Sequence, residues 1–287
     1  MCDNTFLGAL AKAYTSRYDD LSEFCFIFPN RRSGTFFLRR LSETLSKGKA
    51  LLAPDVMPVG DFMSRISGYE VAPRITQLMQ LYLAYRDLRK RRAPLDDEKE
   101  TVDFDEFLPW GEVVLSDMSE VDMYDVDAHK IFKNVEDYRK IQTDPLTEEQ
   151  KELVSRFFGY IPTKADADRF WITFDENEGT PANEGNEPGR ETNVKERFLE
   201  LWQLLPELYD RVRERLENLE PELPMTLAGT GYRMAMNKVL DGDAGTLPWK
   251  RVVCVGLDWM TVTEIKLFEE LKKQGIAEFF WDLTGPV

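Results

Sequence analysis

Two consecutive arginines behind a short apolar run are the residues in this chain best suited to binding chemistry. Phe24-Cys25-Phe26-Ile27-Phe28 leads through Pro29 and Asn30 into Arg31-Arg32-Ser33-Gly34. Guanidinium groups hold phosphate oxygens through paired, charge-assisted N–H donors, and two in succession reach different oxygens. Arg39 and Arg40 lie further along the same polar side. Asn30, Arg31, Arg32, Arg39 and Arg40 are therefore the candidate nucleic-acid-contacting set. The competing reading is structural: one arginine pairs with an acid of a helical insertion and fixes a domain angle.

Residues for catalysis are harder to find. His129 is the only histidine, so no histidine-based triad or histidine-rich metal cluster can be assembled, and it reads as a capping or surface residue. A nuclease metal site needs an Asp, then a Glu or Asp followed two residues later by Lys, set on a strand. Pro54-Asp55, Asp97-Glu98-Lys99 and Glu264-Ile265-Lys266 are the fragments of that pattern. Each has a simpler role: the polar edge of a strand, a charged linker, and a helix capping box. No catalytic residue, metal ligand or cofactor is assigned to this chain.

The elements that must position the arginines follow from hydrophobic periodicity. Thr5 to Tyr18 carries Phe6, Leu7, Leu10, Ala11 and Tyr14 on one face, an amphipathic helix. Phe24 to Phe28 is continuously apolar, as in a strand covered on both faces. Phe37, Leu41 and Leu45 then recur every four residues, so a helix packs back on the sheet and ends near Gly48. Asp55 to Val59 reads as a second strand. Asp61 is the expected N-cap of a helix through Phe62 and Ile66, stopped by Gly68. A strand feeding a basic turn at its carboxyl end is where open α/β sheets place ligands.

The rhythm changes after Pro73. Helical stripes run through Ile75 to Leu88, Phe104 to Met118, Val126 to Val135, and Asn193 to Leu219, where Pro206 is expected to introduce a kink. Thr147 and Gln150 form a capping box for another helix. Residues 175–192 hold Glu, Asn, Gly, Pro and Thr without a large apolar residue and read as a flexible surface excursion. The α/β rhythm returns with Val252 to Leu257, a capping box at Thr261 and Glu264, a helix closed by Gly275, and a strand from Ile276 to Trp281. The expected organisation is an α/β domain of residues 1–72 plus 225–287 with a mainly parallel sheet, interrupted by a helical insertion of residues 73–224. The chain stops straight after the last strand, so it is expected to be a piece of a longer polypeptide.

Composition narrows the classes. The net charge is −15, which argues against a generally basic nucleic-acid coat. The charge is uneven, however: residues 30–50 hold six Lys or Arg against one acid, Glu43. A second basic run, Arg86 to Arg92, reads as a solvated helix face. No apolar run reaches the length of a membrane span. The amino terminus lacks a signal pattern, and Cys2, Cys25 and Cys254 have no metal-like spacing. A cytoplasmic location with reduced, buried thiols is expected.

Beyond these readings, the chain resembles a known family. Phe26-Ile27-Phe28-Pro29-Asn30-Arg31-Arg32-Ser33-Gly34 is similar to the first strand and turn of bacterial AddB-type (RecB-like) helicase–nuclease proteins. The likeness continues, in order, through Phe104-Asp105-Glu106-Phe107, Trp110-Gly111-Glu112, Ser116-Asp117-Met118 with Asp122, and Phe132-Lys133-Asn134-Val135. It includes Tyr232-Arg233, Val253-Cys254-Val255-Gly256-Leu257 with Glu264, Leu267 and Phe268, and Phe279-Phe280-Trp281-Asp282. The resemblance implies a RecA-like domain of the superfamily 1 helicase type with a helical insertion. It also implies a parent protein that ends in a PD-(D/E)XK nuclease and processes DNA ends in recombinational repair. Implied partners are DNA, a partner helicase–nuclease subunit and the rest of the same polypeptide.

The departures from that pattern remove the motor chemistry. A G-x-x-x-x-G-K-[ST] phosphate loop is missing; Gly48-Lys49 is followed by Ala50 and has no upstream glycine. Where the family's acidic motif should end the strand Val252–Val255, this chain has Gly256-Leu257, with Asp258 one step late. The expected role is a non-catalytic helicase-like domain that grips or guides DNA. The alternative is a scaffold that holds a partner subunit without touching DNA.

Overall fold

A computed structural model describes residues 5–45, 50–92, 103–131, 204–219, 224–242 and 247–283. The first helix, α1 (Phe6–Arg17), is capped by the Thr5 hydroxyl, which accepts from the Gly8 amide at 3.3 Å. Strand β1 (Phe24–Phe28) is buried along its whole length. Pro29 and Asn30 end it and lead into α2 (Arg31–Thr44). β2 (Asp55–Pro58) runs directly into α3 (Val59–Ser67), and a two-residue strand, β3 (Glu70–Val71), follows. Then come α4 (Arg74–Arg92) and α5 (Phe104–Met123). The described part of α6 covers 204–217. β4 (Met225–Thr226), α7 (Ala228–Leu240), β5 (Arg251–Val255), α8 (Val262–Lys273) and β6 (Ala277–Phe280) complete the order.

The main sheet has four strands in the order β2-β1-β5-β6, and every pairing is parallel. Its register sets Phe26 against Val56 on one side and Val253 on the other. Strand alternation then divides the core in two. Phe24, Phe26, Phe28, Val253 and Val255 pack with Leu10, Ala11, Tyr14, Phe37 and Leu41 of α1 and α2. Cys25, Ile27, Val252 and Cys254 pack with Phe62 and Met63 of α3, Met236 of α7 and Phe268 of α8. Aromatic rings fill both layers. Phe26 lies 4.5 Å from Phe37, and Phe62 stacks on both Trp249 and Phe268, at 5.6 and 5.7 Å. Each such ring contributes roughly 2–3 kcal/mol by leaving water.

This is a sheet with helices on both faces, and the layering explains the parallel pairing. A parallel neighbour requires a crossover, and crossovers are right-handed. The β1–α2–β2 unit moves outward in one direction and puts α2 on one face. The β5–α8–β6 unit moves the other way and puts α8 on the opposite face. The strand order therefore reverses between β1 and β5.

The four expected strands all form, within a residue or two of their expected bounds. Two features differ. Helix α3 begins at Val59 with Pro58 as N-cap and no side-chain cap, so Asp61 sits in the first turn and does not cap it. A second, two-stranded parallel sheet pairs β3 with β4, Glu70 opposite Met225 and Val71 opposite Thr226; both strands lie within the expected α/β segments 1–72 and 225–287, where the sequence pattern indicates neither. Gly68 is the left-handed C-cap of α3, as expected. The chain divides into two compact units, residues 1–128 with 207–287, and residues 129–206. Helices α4 and α5 thus lie in the unit that holds the sheet. The readings at Gly48, Thr147–Gln150, 175–192, Asp97–Lys99 and Phe132–Val135 fall outside the described residues.

Candidate nucleic-acid interface

The strand order reverses between β1 and β5, and the carboxyl ends at such a point are the usual ligand position of open α/β sheets. Two segments follow those ends: Asn30-Arg31-Arg32-Ser33 after β1, and Gly256-Leu257-Asp258-Trp259-Met260 after β5. The amino termini of α2, α3 and α8 also fall on this edge, because each helix follows the carboxyl end of a parallel strand. Their dipoles and first-turn amides favour anions there.

Asn30 is the N-cap of α2. Its side-chain oxygen accepts from the Ser33 amide at 2.9 Å and from the Ser33 hydroxyl at 3.1 Å. Arg31 and Arg32 occupy the first two helical positions and are exposed. The Arg31 guanidinium donates to both carboxylate oxygens of Asp61, at 2.9 and 3.1 Å. The side chains of this pair are 80% and 47% exposed, so water screens it. Arg31 therefore has an acidic partner, but the acid belongs to α3 of the same α/β unit and not to a helical insertion. The Arg32 guanidinium lies over the exposed ring of Phe36, 5.7 Å from its centroid. Arg39 and Arg40 sit further along α2, and both reach Glu43, at 3.0 and 2.8 Å. Those two bonds hold the Glu43 carboxyl below its usual range. The structure thus puts Arg31 and Arg32 on the edge and ties Arg39 and Arg40 to a neighbouring acid on their own helix.

The β5 side ends in a turn that carries no pair of carboxylates. Gly256 takes φ +64°, a left-handed turn, and its amide donates to the Phe280 carbonyl at 2.8 Å. The turn sends Leu257 into the core, 4% exposed. Asp258 is exposed to solvent. The Leu257 carbonyl accepts from Trp281 Nε1 at 3.2 Å, which fastens the loop to the end of β6. Trp259 then stands out at 96% exposure. Its position in the chain, between Asp258 and Met260, carries no periodic signal that would single it out from sequence.

Beyond the loop, Thr261 and Glu264 form the expected capping box: the Thr261 amide donates to Glu264 Oε2 at 2.6 Å. Burial pushes the Glu264 carboxyl up, opposed by its bonds to Thr261. Burial and the nearby charges of Glu264 and Asp61 push the Tyr232 phenol up to about 12. Asp55, the other fragment considered for a nuclease, accepts from Trp249 Nε1 at 2.7 Å and from Arg65 at 2.9 Å at the amino end of the sheet. Among the described residues, no three His, Cys, Asp or Glu side chains gather as they would to hold a metal ion.

No protein-family model matches the chain, and no curated protein matches it. Among the described residues, no helix is long and apolar enough to cross a membrane.

Cys25 and Cys254 are buried free thiols, and burial raises both well above the ordinary thiol range. That makes them inert packing residues.

Proposed function

We propose that this chain is a degenerate RecA-like domain, of the superfamily 1 helicase type, whose sheet edge contacts single-stranded nucleic acid without hydrolysing nucleotide. The observation that carries the reading is a juxtaposition at the switch point. Two exposed arginines on the β1 side share the edge with an almost fully exposed tryptophan on the β5 side. Arginines for the backbone and an aromatic face for a base are the two parts of a single-strand platform. The resemblance to AddB-type proteins supplies the setting: DNA-end processing in recombinational repair, in a bacterial cytoplasm. The nuclease would lie elsewhere in the polypeptide, and a helicase–nuclease subunit would be its partner.

A second reading, a scaffold that holds a partner subunit, is favoured by a specific observation. Arg31, Arg39 and Arg40 each already reach an acid of this chain, and the net charge is −15.

Anisotropy of a labelled oligothymidylate, titrated at several salt concentrations, separates the two. Wild type is expected to bind with a salt-dependent constant. Arg31→Ala with Arg32→Ala should reduce the slope of log K against log salt by about 1.4, two contacts at roughly 0.7 each. Trp259→Ala should weaken binding about tenfold with the slope kept. Absence of salt-dependent binding, or a double variant that loses thermal stability with its slope unchanged, would replace this reading with the scaffold.

A further inference from the structure

Asp122 has no part in the edge described above, yet its side chain is wholly buried. A carboxylate without water must be met by donors or charge. Here it is met from several directions. The Tyr209 hydroxyl of α6 donates to Oδ1 at 2.5 Å, and the Thr230 hydroxyl of α7 donates to Oδ2 at 2.6 Å. Arg233 of α7 brings its guanidinium within 3.3 Å of Oδ1. Its Nε makes no hydrogen bond, so this contact is one of charge. The same arginine donates to the carbonyls of Val121 and Val126, which fixes the turn that ends α5. The Tyr209 phenol is pushed well above its ordinary range by burial and by the Asp122 hydrogen bond, so it stays a donor.

The positions of these residues in the chain matter more than their number. Asp122 is in the last turn of α5. Tyr209 is in α6, 87 positions along the chain. One buried carboxylate therefore joins two segments far apart in sequence. The cluster also extends to the candidate edge. Asp125 has φ +54°, the one non-glycine residue at positive φ among the described residues. Its carboxylate lies 3.6 Å from Arg233 and receives Lys266 of α8 at 2.5 Å. The Thr263 hydroxyl of α8 donates to the Met123 carbonyl at 3.0 Å. Both contacts fall in the first turns of α8, next to the loop that carries Trp259.

We infer that Asp122 is a buried clamp that ties the end of α5 to α6 and α7 and couples them to the β5–α8 loop. A rearrangement that pulls on the end of α5 or on α6 meets Asp122 first. From there Met123–Thr263 and Asp125–Lys266 carry it to the start of α8. The inference holds whether or not the edge binds nucleic acid.

Hydrogen exchange of the 287-residue chain tests it. Asp122→Asn keeps the shape of the side chain and removes the charge that Arg233 needs. It should speed exchange about tenfold in residues 119–126, 207–213, 228–234 and 259–266 together. Helices α1 and α2, on the other face of the sheet, should be unchanged. Tyr209→Phe removes one hydroxyl and leaves the charge pair, so it should give the same pattern at smaller size, and it decides the matter if Asp122→Asn does not fold. Exchange that changes only beside the substituted residue, or rises evenly over the chain, overturns the clamp.

Discussion

Arg31 and Asp61 make an ion pair that a ligand can open. Both side chains are well exposed, and such pairs contribute only about 0–1 kcal/mol. A phosphate oxygen that displaces Asp61 would give Arg31 an equivalent partner, so Asp61 competes with any anionic ligand at this edge. Asp61→Asn should therefore tighten oligothymidylate binding roughly two- to fivefold in the same anisotropy titration. Asp20→Asn, which removes one charge ahead of the amino end of β1, should not. Equal effects of the two substitutions would mean that only net charge matters. At this scale the sequence was half informative. The arginines were visible because they follow a buried strand. Their partner was not, because Asp61 lies thirty positions away on another helix, and an acid in a first turn looks like a cap. Trp259 was invisible for a related reason: exposure of a single aromatic residue is a tertiary fact.

Elements were legible where burial is complete. Phe24–Phe28 is apolar on both faces because both faces are covered, and the Thr261–Glu264 box announces α8 by local chemistry alone. Strands β3 and β4 were not legible, since two residues carry no periodicity. Helix α5 was recognised by its stripe, but a stripe does not name what it packs on. The structure sets α5 against α4, α7 and α8. Its approach to α7 is unusually close: a Cβ on Gly229 would fall 2.0 Å from the Ser119 carbonyl oxygen, a backbone atom that cannot move aside. Gly229→Ala must push the two helices apart next to the Asp122 cluster. The gain in helix propensity is about 1 kcal/mol, less than the cost of overpacking, which reaches about 3 kcal/mol or more. A lower melting temperature, by several degrees, is expected in a thermal scan. An unchanged value would mean that α5 and α7 do not pack as closely as described.

At the scale of the molecule, the doubly wound sheet raises the question of nucleotide directly. The β1/β5 switch point is where such sheets bind phosphates, yet the groups that a nucleotide site requires do not come together at this edge. The β1–α2 connection is Pro29 and Asn30 alone, too short for the run of backbone amides that surrounds a triphosphate. Asn30 already accepts from the Ser33 amide, and Asp61 already holds Arg31. On the neighbouring strand, the left-handed turn at Gly256 buries Leu257 and leaves Asp258 exposed, so no carboxylate pair stands ready for Mg²⁺. A net charge of −15 also opposes an anionic ligand that lacks specific contacts. The missing glycine-lysine string was plain in the sequence. The shortness of the turn and the burial of Leu257 were not, because both depend on where the strands end. Calorimetric titration of ATP with Mg²⁺ into the full chain should give only the heat of dilution. The oligothymidylate titration should proceed unchanged in its presence, since the proposed contacts use exposed side chains and not an amide cradle. A micromolar dissociation constant for ATP would show that the edge assembles a phosphate site that these strand ends do not provide, and the non-hydrolysing reading would then have to be abandoned.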